Sequence, residues 1–112
     1  MIFTNEKVGS ALVASVAGQV NSANAAGLES QLLGLVDEGE HQWVLDLSRL
    51  EYISSAGLRV ALMLAKRLRE QGGQLVLCGL QPHVYEVFDI SGFLAILTVV
   101  DTRDEALAQI NS

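Results

Sequence analysis

The sequence predicts an α/β fold: one mixed, mostly parallel sheet with an antiparallel N-terminal hairpin and about four helices, in a single domain spanning residues 1–112. Three observations lead there. From Asn21 onward, strand-like and helix-like segments alternate, and repeated strand-helix-strand units imply parallel pairing with right-handed crossovers. Two extended apolar runs at the start are separated only by Gly9-Ser10, which reads as a hairpin and adds an antiparallel edge. Half of the residues are apolar and the mean hydropathy is positive, so the chain can bury an aliphatic core of its own.

The hairpin strands run from Ile2 to Val8 and from Ala11 to Val20. In the second, Leu12, Ala14 and Val16 share one face, with Val13, Ser15 and Ala17 on the other. Asn21-Ser22-Ala23-Asn24 offers several helix caps, and Leu28, Leu32, Leu33, Leu35 and Val36 follow at helical spacing. That predicts a first helix from about Ala23 to Asp37, closed by Gly39. Gln42 to Leu47 is short and mostly apolar, as expected of a central strand covered on both faces. A second helix runs from near Ala56 to Glu70. At about 100° per residue its apolar stripe holds Leu58, Ala61, Leu62, Leu64, Ala65 and Leu68, with Arg59, Lys66 and Arg67 opposite. Val60 and Met63 fall on the polar side, where with Arg59 they form a candidate contact patch. Gln74 to Cys78 is a strand. Pro82 opens a short helix carrying Val84, Val87 and Phe88. Gly92 ends that helix, and Ala95 to Val100 supplies a last strand. Thr102 and Glu105 have capping-box spacing, so a final helix spans about Arg103 to Ile110.

The formal charge of −6 argues against broad nucleic-acid binding, which needs clustered Lys and Arg. No segment approaches the roughly 20 apolar residues needed to cross a bilayer, and no signal-peptide pattern opens the chain. The expectation is a cytoplasmic protein, monomeric, without a membrane partner. Cys78 is the sole cysteine, which excludes an internal disulfide and points to a buried strand thiol.

Chemistry gathers at one joint, where the apolar run from Leu47 to Ile53 passes through Ser54 and Ser55 into the second helix. A helix start leaves backbone N–H groups unpaired and carries partial positive charge, so it welcomes an anion, including a phosphate on a serine. One serine is expected to cap the helix. With Ser55 as the cap, Leu58 occupies the third helical position and no capping box forms, and two adjacent hydroxyls exceed what a cap requires. Competing sites are thin. His41 and His83 have no second ligand at i+4, Asp46 fits a turn-forming role after its strand, and Gly72-Gly73 and Gly92 lack the spacing of a phosphate loop. No metal or cofactor is expected, and no enzyme site assembles.

The runs Val44-Leu45-Asp46-Leu47-Ser48, Tyr52-Ile53-Ser54-Ser55-Ala56-Gly57-Leu58 and Gly72-Gly73-Gln74-Leu75-Val76-Leu77, with Val84 to Phe88 and Ser91-Gly92-Phe93, resemble the STAS domain of bacterial anti-sigma factor antagonists. The resemblance covers nearly the whole chain, from Gly18 to Ala106. It implies that Ser55, two positions before the Gly-Leu pair, is phosphorylated by a partner of the GHKL kinase type that doubles as the anti-sigma factor. The unmodified protein captures that partner, the phosphorylated one releases it, and a PP2C-type phosphatase resets the cycle. It further implies that Asn21 and Ser54 neighbour the acceptor and that Ser22, Gly57, Leu58, Arg59 and Met63 contact the partner. Ser54 and Asn21 each stand where the family often has aspartate, and Ala56 where it often has a second hydroxyl. Less negative charge therefore surrounds the acceptor, and Ser54 becomes a competing one. The alternative within the same fold is a STAS subunit of a larger assembly, such as a phospholipid-transport ATPase complex or a stressosome-like scaffold. Outside that class stands a small-ligand or nucleotide-binding module, against which the missing phosphate loop counts.

Overall fold

Gly9, with φ +61°, turns the chain between β1 (Ile2–Val8) and β2 (Ala11–Val20), which pair antiparallel from Val8 opposite Ala11 to Ile2 opposite Ala17. The computed structural model describes residues 1–111. After the hairpin come α1 (Ala25–Asp37), β3 (Gln42–Asp46), β4 (Leu50–Ile53), α2 (Ser55–Glu70), β5 (Gln74–Cys78) and α3 (Pro82–Ile90). A 3-10 turn at Phe93–Ala95, β6 (Thr98–Val100) and α4 (Arg103–Ile110) complete the order. The sheet runs β1-β2-β3-β5-β6, parallel from β2 onward, as the alternating pattern predicts.

The long strand β2 serves two partners. Its residues Leu12 to Ser15 pair with β3, and beyond a register shift at Gly18 its end pairs with β4, up to Val20 opposite Ile53. β4 is not predicted as a strand of its own: the sequence presents this stretch only as the extended run that leads through Ser54 and Ser55 to the second helix. Its Leu50 and Ile53 are buried while Glu51 and Tyr52 between them are exposed, so it lacks the period-2 alternation that marks a strand.

Successive β residues face opposite layers. Leu12, Ala14, Val16, Trp43, Leu45 and Leu77 pack against α1, α2 and α3, whereas Ala11, Val13, Val44, Val76 and Cys78 pack under Ala106 and Ile110 of α4. The two faces read for β2 are the observed ones. Two glycines allow close approach: a Cβ on Gly57 would lie 2.6 Å from the side-chain Cγ1 of Ile53 and 2.8 Å from that of Val20, and one on Gly73 would lie 2.0 Å from the His41 carbonyl oxygen.

Several boundaries move. α1 begins at Ala25 because Asn21 to Asn24 are spent in a turn, and β3 ends at Asp46, whose carboxylate takes the Ser48 N–H at 2.9 Å. The predicted strand from Ala95 shortens to Thr98–Val100, since Phe93 O accepts the N–H groups of Ile96 and Leu97 and closes a turn there. Val60, expected on the exposed face of α2, is buried, because α1 lies alongside α2 and covers that side. At α4 the Thr102 hydroxyl accepts from Glu105 N at 3.1 Å and donates to Glu105 Oε1 at 3.3 Å, so the carboxylate reaches the hydroxyl of Thr102 instead of its backbone N–H.

Candidate functional site

The joint between β4 and α2 is fixed from both sides. Ser54 N donates to Val20 O at 2.9 Å, continuing the pairing of β2 with β4 by one residue. The Ser54 backbone is still extended (φ −86°, ψ 173°), its carbonyl accepts from Leu58 N at 2.9 Å, and its hydroxyl accepts from Gly57 N at 3.2 Å. Those are the features of an N-cap, so the cap is Ser54 and the helix starts at Ser55, one residue earlier than the sequence implies. Ser55 is exposed, and its hydroxyl has no hydrogen-bond partner among the described residues.

The loop after Val20 lies at the same end of the paired strands and brings Asn21 beside this joint. Its side chain is turned inward: Asn21 Oδ1 accepts from Ala23 N at 2.9 Å and Asn24 N at 3.0 Å. Asn24 answers by accepting the Asn21 N–H at 2.9 Å and donating to Gln19 O at 3.0 Å. Asn21 thus shapes the start of α1.

Between α1 and α2, next to Ser55, runs a groove of about 380 Å³, lined by Ser22, Ala26, Glu29, Ala56, Arg59 and Met63. Three expected contact residues, Ser22, Arg59 and Met63, meet there. Gly57 and Leu58 do not: Gly57 is pressed against Ile53 and Val20, and Leu58 is 5% exposed within the core. They seat the helix and offer no surface to a partner. The first turn of α2 contains no acidic residue, its last turn carries Arg67 and Arg69, and Arg59 makes no ion pair among the described residues. The helix start is therefore an uncompensated positive end.

A second polar cluster lies on the other side of the sheet. Asp46 Oδ2 accepts from Arg103 Nε at 3.0 Å and Arg103 Nη2 at 2.8 Å, and Arg103 also reaches Glu6 at 3.2 Å and Ser15 Oγ at 3.3 Å. Burial alone would raise the Asp46 carboxyl, but hydrogen bonds from the Ser48 backbone and side chain and from Arg103, with the guanidinium charge, hold it below the ordinary range. The turn-forming role read for Asp46 is present in its bond to Ser48. Arg103 was not singled out in the sequence, since 57 residues separate it from Asp46. These charges satisfy one another, and the cluster ties α4 to the sheet.

His83 Nε2 lies 2.6 Å from Glu51 O, which ties the start of α3 to β4, and the backbone carbonyl of His41 accepts from Gln74 N. Cys78 is buried as expected, and burial, with the nearby Asp46 charge, pushes its thiol up to about 11. Among the described residues no group of three metal-ligating side chains gathers, and no helix is long and apolar enough to cross a membrane.

Comparison with known proteins bears on the family and the fold. The model of the STAS domain matches residues 3–106. BtrV of Bordetella bronchiseptica, a candidate anti-sigma factor antagonist, is 56% identical over 108 residues, covering 96% of this chain and 93% of BtrV. The crystal structure of an anti-sigma factor antagonist from Mycobacterium paratuberculosis superposes with a TM-score of 0.91 at 22% identity, covering 99% of this chain and 94% of that one. The Bacillus cell fate determinant SpoIIAA in its phosphorylated form superposes with a TM-score of 0.75 at 20% identity, covering 97% of this chain and 99% of that one.

Proposed function

Since the chain belongs to the STAS-domain family of anti-sigma factor antagonists, we propose that it works by partner switching through Ser55. With Ser55 unmodified it holds an anti-sigma factor that is also a GHKL-type serine kinase; phosphorylated, it lets that partner go, and a PP2C-type phosphatase restores it.

The observation that carries this reading is the division of labour between two adjacent serines. The Ser54 hydroxyl is engaged with Gly57 N, while that of Ser55 is exposed and uncommitted, so a kinase can take Ser55 without dismantling the cap. A phosphoserine adds between one and two negative charges at about neutral pH. At the positive end of α2 its own domain tolerates them, which leaves the fold in place, and SpoIIAA keeps this fold in its phosphorylated form. Release then arises at the interface: a thousandfold loss of affinity is about 4 kcal/mol, within reach of burying an unpaired phosphate against a partner. The groove holding Ser22, Arg59 and Met63 lies beside Ser55 and is the surface that such a partner would cover.

The test is affinity capture from lysate of the source cells with wild type, Ser55→Ala and Ser55→Asp as baits, read by mass spectrometry. A GHKL-type kinase held by Ser55→Ala and lost with Ser55→Asp is the expected result. That kinase, given ATP, should then modify wild type and Ser54→Ala but not Ser55→Ala. Equal capture by all three baits would remove the switch and favour a constitutive subunit of a larger assembly.

A further inference from the structure

Arg59 lies one helical turn beyond Ser55 and has no ionic partner among the described residues. We propose that Arg59 is the internal counter-ion of phosphorylated Ser55, forming an ion pair along one face of α2 that exists only in the modified protein. The inference rests on Ser55 being the acceptor and adds what the phosphate does to the chain's own surface.

Spacing and direction both favour the pair. Residues i and i+4 of a helix are neighbours on its surface, and the order with the anion N-terminal to the cation is the better one. Helical side chains lean toward the N-terminus, so the long stem of Arg59 leads back over the turn that carries Ser55. Both residues are exposed, which leaves the guanidinium free to move without disturbing the core. Competition is slight. The first turn of α2 has no acid, and Glu29, the other charged residue lining the groove, stands across it on α1 without an ion pair to Arg59. Arginine also suits a phosphate because its planar fork can donate two parallel hydrogen bonds.

The consequence reaches the partner-facing groove. Before modification it presents a free guanidinium beside a neutral hydroxyl; afterwards that guanidinium is drawn onto a group of nearly two negative charges, and the local surface becomes net negative. A partner matched to the first state loses a cation as well as meeting an anion.

The test uses the full chain with phosphoserine encoded at position 55, so that no kinase is needed, and follows its second ionisation by phosphorus NMR at low salt. A nearby cation favours the dianion, so the wild-type midpoint should lie about half a pH unit below that of Arg59→Gln, with Arg59→Lys between them. Lys66→Gln, which alters an exposed cation farther along α2, should leave it unmoved. At about 1 M salt, where screening acts within about 3 Å, the difference between wild type and Arg59→Gln should collapse. Circular dichroism of Arg59→Gln should match that of wild type, which checks that the variant is folded. Superimposable low-salt titrations of wild type and Arg59→Gln would overturn the counter-ion, whatever the capture experiment says of the switch; loss of the switch would appear in the capture experiment, not in this titration.

Discussion

At the scale of single residues, the two serines should behave oppositely although they are chemically identical. Ser54→Ala deletes the acceptor for Gly57 N and should lower stability by about 1 kcal/mol, whereas Ser55→Ala removes an uncommitted exposed hydroxyl and should stay within about 0.5 kcal/mol of wild type. Urea midpoints of the two variants check this, and a larger loss at Ser55 would contradict the assignment of the cap. Gly57→Ala belongs with them: its new methyl would press on Ile53 and Val20, and overpacking of this kind costs about 1–3 kcal/mol. The sequence was legible here to within one residue. Two adjacent hydroxyls have the same propensity to cap, and the choice between them was made by the backbone, since the Ser54 N–H is already committed to Val20 O and holds that residue extended.

At the scale of elements, the local patterns carried most of the information. β1, β2, β5 and α4 fall on the predicted bounds because turns, alternation or a cap mark both ends. β4 escaped because four residues with a buried-exposed-exposed-buried pattern carry no period, and it becomes a strand only through its pairing with the end of β2. The anchor of α4 was equally hidden, because nothing near Arg103 in sequence announces Asp46. That anchor predicts a pH dependence. The folded Asp46 carboxyl is depressed, so its contribution is fully present above the unfolded value of about 3.9 and is lost as pH falls through the lower folded value. Asp46→Asn should therefore cost about 1.5–3 kcal/mol at pH 7, the range for a hydrogen bond to a charged group, and the gap to wild type should narrow below about pH 4. Parallel stability curves from about pH 7 to pH 2.5, measured by urea unfolding, would show that the pair contributes nothing that titrates.

At the scale of the whole molecule, three helices cover one face of the sheet and α4 alone covers the other. The alternation in β2 showed that it has two distinct faces, but only the assembled sheet shows that the thinner layer rests on Ala106, Ile110 and the Arg103 anchor. Whether the two layers unfold together is open to a direct probe, because Cys78 sits in β5, between β3 and β6, under that thinner layer. Its thiol is 1% exposed and its ionisation is pushed up to about 11, so the native state should not react with a thiol reagent at about pH 8. Labelling then requires an opening. If the layers form one cooperative unit, the opening free energy obtained from labelling equals that from equilibrium urea unfolding and falls with urea at the same slope. If α4 lifts off by itself, labelling is faster and nearly insensitive to urea, because an eight-residue helix exposes little surface. The charge-assisted bonds from Arg103 to Asp46 and the burial of Ala106 and Ile110 favour the first outcome, and Asp46→Asn should shift the labelling toward the second.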